Sequence, residues 1–251
     1  MGAADGPVRS GRVSVCMATY NGSEFVHEQL VSILGQLGPS DEVIVVDDAS
    51  SDDTAAVVAA MGDPRILLQC STQNMGHVRA FESAIRAASG EYILLADQDD
   101  VWTDGRVELM LDSLSRRPVV AGNFTLFGTR SGQPGQRLSA SDSGAGLRNL
   151  VGILAGKRAY FGSAMGLRRD LIPILLPIPD YVEAHDLWLA TVGNLVGGIE
   201  HRDESVLLRR LHEGNLTADR RRPLRTILAS RLHMLRAMLE IIRRRSGVGM
   251  R

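Results

Sequence analysis

Residues 92–102, YILLADQDDVW, decide how the chain is read. Tyr92 to Ala96 make an apolar run of strand length, and it ends in Asp97-Gln98-Asp99-Asp100. Upstream, VIVV at 43–46 is continuous, β-branched, and ends in Asp47-Asp48. Short runs that are apolar on both faces are what strands buried in a parallel sheet require. Outward from these two, VSVCMA (13–18) precedes the turn Thr19-Tyr20-Asn21-Gly22, and ILLQC (66–70) offers another strand. Between them, Val26, Leu30, Ile33, Leu34 and Leu37 recur at helical spacing until Gly38-Pro39, and residues 52–61 and 76–88 also suit helices. Strands alternating with helices predict an α/β fold, a mostly parallel central sheet flanked by helices and joined by right-handed crossovers.

Ligands of open parallel sheets bind beyond the carboxyl ends of the strands. Carboxylates clustered there repel one another, and a hard divalent cation, Mg²⁺ above all, relieves this while bridging to substrate phosphates. The competing reading makes Asp47 and Asp48 turn formers and caps within DDASSDD. Two such clusters at neighbouring strand ends weigh toward the functional reading.

Composition narrows the rest. The 251 residues are 44% apolar and 23% charged, which excludes a disordered chain, a collagen-like fibre and a disulfide scaffold. No stretch nears ~18 uninterrupted apolar residues, so no membrane-spanning helix is expected. The start, MGAADGPVRSGR, lacks the apolar core of a signal peptide, so a cytoplasmic location is expected. Cys16 and Cys70 fall in predicted strands and are read as reduced core residues. A net charge of −1 conceals an acidic first part and a basic end: residues 201–251 hold 13 arginines against 5 acidic residues.

Beyond Asp97 the pattern loosens. A helix over about 104–115, a strand near Val119 and a mobile surface loop at 128–146 are expected. Two β-like runs, 159–167 and 205–209, flank a helix at about 185–195. From Leu224 to Ile242, apolar residues at 224, 227, 228, 232, 235, 239 and 242 make an amphipathic helix, bracketed by Arg220-Arg221-Arg222 and Arg243-Arg244-Arg245. Such a helix suits either an anionic membrane surface or packing on its own domain or a subunit, and the sequence leaves both open. The expected division is a domain at 1–222, with one half at 13–101 and another at 102–222, and the basic helix at 223–251.

The ordered set VSVCMATYNG, EVIVVDDASSDDT, QNMGHVRAFESAIRAASGEYILLADQDD and HDLWLA resembles the inverting glycosyltransferases of family 2, which have the GT-A fold. LADQDDVW and LLRRLHEGNLT are most similar to the bacterial rhamnosyltransferase-like polysaccharide branch. The resemblance implies a hexosyl transfer from a nucleotide-sugar, dTDP-rhamnose or a UDP-hexose, to a glycan or lipid-linked acceptor, with Mg²⁺ or Mn²⁺. Asp97-Gln98-Asp99 matches the family's DxD motif, which puts Asp99 and Asp97 on the metal and Asp97 near the ribose. By the same resemblance Thr19, Tyr20 and Asn21 lie along the nucleotide with Asp48 near the base. Asn74, Gly76 and Arg79 sit on the loop and helix start after the third strand, where Arg79 offers a guanidinium to a phosphate.

The resemblance makes Asp186 the base that takes the acceptor's proton. Where many members have an acidic pair, this chain has Glu183-Ala184-His185-Asp186, which leaves the register open, and an Asp before LWLA also suits a helix cap. His212 matches a histidine that recurs near the nucleotide, as a metal or diphosphate contact or as an ordinary histidine. His201 and His185 match no zinc spacing. Trp102 and Trp188 are read as wall and core residues ahead of sugar platforms. Rival readings are a haloacid-dehalogenase-type phosphohydrolase, undercut by the single lysine Lys157, and a catalytically silent nucleotide-binding module. A dinucleotide oxidoreductase lacks its GxGxxG, and no motif supports nucleic-acid binding.

Overall fold

The computed structural model describes residues 11–128, 137–158, 160–212 and 224–248. In chain order its elements are β1 (Val13–Thr19), α1 (Val26–Leu34), β2 (Glu42–Asp47), α2 (Thr54–Ala60), β3 (Ile66–Cys70), α3 (His77–Ala87), β4 (Tyr92–Asp97) and β5 (Val101–Trp102). There follow α4 (Arg106–Arg116), β6 (Val119–Gly128), α5 (Gly146–Leu154), β7 (Met165–Arg168), α6 (Ile172–Leu175), α7 (His185–Val196), β8 (Ile199–Leu211) and α8 (Leu224–Val248).

The eight strands form one sheet in the order β3-β2-β1-β4-β7-β6-β8-β5. β3, β2, β1 and β4 run parallel, β7 is antiparallel to both its neighbours, β8 is parallel to β6, and β5 closes the edge antiparallel. Register then assembles the site. Thr19 lies opposite Asp47, and Ala18 opposite Asp97, so the turn after β1 and the two acidic strand ends leave one edge of the sheet together.

Alternation along each strand feeds two cores, one per face. On one, Cys16, Ile44, Val46, Ile93 and Leu95 pack with Phe81 and Ile85 of α3 and Trp188 of α7. On the other, Val15, Met17, Val45, Leu94 and Ala96 meet Leu30 and Ile33 of α1 and Met110 and Leu114 of α4. Both faces being covered is why these strands read as unbroken apolar runs.

Three expectations change. Cys70 ends the edge strand β3 and is exposed, so only Cys16 is a core thiol. The stretch expected as a mobile loop is tied down in its second half, residues 129–136 lying outside those described. Leu138 is buried and exchanges hydrogen bonds with the Asn123 side chain at 2.8 and 3.0 Å, and Asp142 pairs with Arg158 at 2.5 Å. Finally, α8 packs on its own domain through Met234, Ala237 and Ile241, whereas Leu228, Leu232, Leu235, Leu239 and Ile242 remain exposed. The face that packs is therefore not the stripe the spacing singles out. Arg220-Arg221-Arg222 lie outside the described residues.

Candidate active site

β4 delivers Asp97 to the sheet edge, and the turn into β5 carries Gln98, Asp99 and Asp100. Asp97, Asp99 and Asp100 each place a carboxylate oxygen within 4.8 Å of the others, the only such group of three potential metal ligands among the described residues. Burial and then the neighbouring carboxylates push Asp97 and Asp100 well up from the ordinary aspartate range.

Two arginines answer this charge. Arg106, buried beneath the cluster, donates to the carbonyls of Leu95 and Ser163 at 3.1 and 2.5 Å and lies 4.0 Å over the Trp102 ring. Burial lowers its pKa, and Asp100 and Asp97 draw it back up. Arg209 of β8, stacked 4.9 Å over Phe161, lowers the pKa of Asp97 and Asp100 and that of Asp186 as well. Arg209 is a site residue that motif reading missed, because β8 brings it in from a hundred residues away. Its neighbour Arg210, on the opposite strand face, instead pairs with Glu28 at 2.5 Å and donates to the Asp99 carbonyl at 3.1 Å.

The donor set fits a hard divalent cation. It is oxygen-rich, and Asp100 Oδ2, though buried, has no hydrogen bond among the described residues, while Oδ1 takes the Arg210 N–H at 3.3 Å. His212 lies beside this group: its Nε2 is 2.8 Å from Asp99 Oδ2, and its ring lies 4.6 Å from that of Phe25. Asp100 is the addition that DQDD alone gave no reason to separate from its neighbours. His201 and His185 stand elsewhere. His201 is buried against the Tyr160 hydroxyl at 3.0 Å, and burial takes its pKa down to about 4.

The first-strand turn is held to this group by Gln98, whose amide accepts from the Tyr20 N–H at 2.8 Å and donates to the Tyr20 carbonyl at 3.1 Å. A Cβ on Gly22 would stand 2.3 Å from the Gln98 side chain, so a larger residue there would displace the amide that joins the two loops. Of the residues expected along the nucleotide, Tyr20 is exposed, whereas Thr19 is buried and gives its hydroxyl to Asp47 at 2.9 Å. Asn21, at φ 48°, accepts the Ser51 N–H at 2.8 Å and shapes the turn. Asp48 takes the Met75 and Gly76 N–H groups at 2.9 and 2.8 Å, which binds the exposed Asn74–Gly76 loop to the end of β2. Arg79 is occupied: its guanidinium bonds the Ile178 carbonyl at 2.8 Å and the carboxylates of Glu82 and Asp180. In this structure it anchors α3 to the segment before α7, and the guanidinium beside the carboxylate cluster is that of Arg209.

At the start of α7 the open register resolves. His185 is buried with its ring 4.1 Å from that of Phe81, and a Cβ on Gly162 would fall 2.2 Å from its Nε2. Burial drives its pKa down to about 3, so the imidazole is neutral. Position 185 thus faces the core, and Asp186 is the half-buried carboxylate at the mouth of the helix, held by the Leu187 N–H at 2.6 Å. It is not the cap: Ala184 occupies that position in extended conformation. Burial raises the Asp186 carboxyl to about 6. Neither tryptophan offers a sugar platform. Trp102 and Trp188 are both buried, and the Trp188 indole N–H bonds the Leu175 carbonyl at 2.9 Å.

A sheet whose parallel half ends in an acidic cluster, with a separate carboxylate at a helix mouth, is an arrangement of GT-A architecture. The family model for glycosyl transferase family 2 matches residues 14–173, most of the chain, which therefore belongs to that family. The Rhizobium meliloti succinoglycan biosynthesis protein ExoO is 38% identical over 100 residues, 40% of this chain and 29% of that protein. The Escherichia coli UDP-Glc:alpha-D-GlcNAc-diphosphoundecaprenol beta-1,3-glucosyltransferase WfgD is 30% identical over 121 residues, 47% of this chain and 48% of that protein. The chain thus spans less than half the length of these curated relatives. Among solved structures, residues 1-349 of Staphylococcus aureus TarS in complex with UDP-GlcNAc superpose with a TM-score of 0.65 at 19% identity, over 94% of this chain and 73% of that one. The Pyrobaculum calidifontis mannosyltransferase PcManGT, in complex with GDP-Man and Mn2+, gives 0.63 at 20% identity, over 97% and 76%. At these identities the likeness is one of fold.

Proposed function

We propose that the chain moves a single sugar from a nucleoside-diphosphate sugar to a hydroxyl of a glycan or lipid-linked acceptor in cell-surface polysaccharide synthesis, by one displacement with inversion. The observation that carries this reading is the pairing of two acidic sites, the Asp97-Asp99-Asp100 cluster and Asp186, both under the field of the Arg209 guanidinium. Asp97 and Asp99, with Asp100 and His212 beside them, would hold Mg²⁺ or Mn²⁺, which when bound neutralises the diphosphate as a Lewis acid. Arg209 faces the phosphates, the part the sequence had offered to Arg79. Tyr20, Asn21, Asp48, Asn74 and Gly76 surround the nucleotide, Thr19 acting beneath them through Asp47. Asp186 takes the acceptor's proton on the far side of the sugar. A carboxylate raised to about 6 is basic enough to do so and still ionised at neutral pH. Of the two donors read from the sequence, the UDP-hexose draws support from a relative named for UDP-Glc and a neighbour in complex with UDP-GlcNAc, whereas dTDP-rhamnose rests on the resemblance alone.

The test is Asp186→Asn beside a hydrolysis and transfer screen of nucleotide-sugars with each metal. Transfer should fall by about 10²- to 10⁴-fold while nucleotide binding stays near wild type. Retention of most of the rate would overturn the assignment and make the exposed Glu183 the next residue to examine.

A further inference from the structure

We infer that the outer face of α8 docks on an anionic lipid surface, a property independent of the transferase chemistry. The helix has two apolar faces. One, through Met234, Ala237 and Ile241, is buried in the domain core, and Arg244 and Arg245 fasten it further by donating to the carbonyls of Ile174 and Leu195 at 2.9 and 2.8 Å. The other presents Leu228, Leu232, Leu235, Leu239 and Ile242 with 48 to 69% of each exposed. At about 100° per residue these five fall within an arc of roughly 80° and run for about 21 Å. A continuous strip of large aliphatic side chains of that size marks a contact surface.

The charges beside the strip identify what it contacts. Residues 224–248 hold six arginines and one acidic residue, Glu240, which is spent on Arg243 and Arg244 at 2.8 Å each. Arg225, Arg236 and Arg243 line one edge of the strip and Arg231 and Arg245 the other, by the same helical arithmetic. The spacing of four and three residues also suits a coiled-coil seam. A second copy, however, would set arginine against arginine along both edges, in either orientation. An anionic bilayer meets the same arrangement with complementary charge, the leucines entering the acyl boundary and the arginine stems lying along it.

A groove of about 590 Å³ beside the strip, between Pro179–Tyr181 and α8, is lined by Arg236, Arg243 and Arg244 together with the carboxylates of Asp180 and Glu240. No helix among the described residues is long and apolar enough to cross a membrane.

Flotation of the full chain with vesicles of phosphatidylglycerol and phosphatidylcholine, against phosphatidylcholine alone, tests this. Binding is expected to the anionic vesicles only, and to weaken severalfold when salt is raised from about 0.05 to 0.5 M. The double variant Leu232→Ser/Leu239→Ser, two exposed positions, should bind roughly tenfold more weakly. Its helicity, thermal unfolding and donor hydrolysis should match wild type. Arg236→Gln/Arg243→Gln should lose the preference for anionic lipid. Failure of the full chain to float with anionic vesicles at low salt would overturn the inference. So would undiminished binding by the double leucine variant, or a stable dimer in light scattering that this variant dissolves. Loss of donor hydrolysis with vesicle binding intact would instead count against the transferase reading alone.

Discussion

β2 and β4 leave the sheet at the same edge and both run into consecutive aspartates, yet the two sets of carboxylates meet opposite surroundings. At the end of β2, Asp47 receives the Ser50 N–H at 2.9 Å and the hydroxyls of Ser50 and Thr19 at 2.6 and 2.9 Å, and Asp48 receives two backbone N–H groups of the loop after β3. Asp47 is consumed in building the turn, and Asp48 holds the Asn74–Gly76 loop in place beside the proposed nucleotide site. At the end of β4, three carboxylates crowd within 4.8 Å, one oxygen has no hydrogen bond among the described residues, and the compensating charge comes from Arg106 on α4 and Arg209 on the distant β8. Acidity at a strand end is therefore not itself a ligand site. The supply of nearby backbone donors decides whether a carboxylate closes a loop or stays available to a cation.

That contrast can be broken by substitution. Arg106 is buried under the β4 cluster, so Arg106→Met leaves carboxylates unbalanced and should cost about 3–5 kcal/mol in urea unfolding. A loss below 1 kcal/mol would show that the cluster needs no buried counter-charge. Next, Asp99→Ala should weaken Mn²⁺-supported UDP binding by about 100-fold in calorimetry and leave metal-free binding unchanged. Equal affinity with and without Mn²⁺ in the wild type would remove the metal from this edge. For the β2 end, Asp47→Ala should cost about 2 kcal/mol of stability through unsatisfied donors while the metal dependence of binding persists. If Asp47→Ala instead imitates Asp99→Ala, the two strand ends share one function and the distinction fails.

The smallest effect is in pH. Folded Asp186 holds its proton up to about 6 against an ordinary 3.8, so the folded chain binds that proton more tightly than the unfolded one. Its contribution to stability is fullest below about pH 4 and is lost as pH rises toward 6, whereas the transfer rate, which needs the ionised form, should fall as pH drops through about 6. Asp186→Asn should flatten the stability change between about pH 4 and 6. An acid limb of transfer that survives in a residually active Asp186→Asn belongs to another group.

Much of this was legible in the residues themselves. Runs such as VIVV and YILLA are apolar on both faces because helices cover both sides of the sheet, and that local fact sets the α/β class. The motif order likewise placed the acidic edge, since short connections carry each strand end directly into its turn.

Other features depended on which elements meet. Arg79 and Arg209 are equally plausible phosphate partners as letters, but packing gives Arg79 to Glu82, Asp180 and a carbonyl, while β8 carries Arg209 to the carboxylates. His185 and Asp186 are adjacent in sequence, and only the seat of the ring against Phe81 turns one inward and leaves the other at the helix mouth. In α8 the spacing displays one leucine stripe, yet Met234, Ala237 and Ile241 are the side chains the domain accepts. Periodicity records that a helix has an apolar face. It carries no record of the shape that face must fill, and a smaller, less regular surface can fit a concave core where a ridge of leucines cannot.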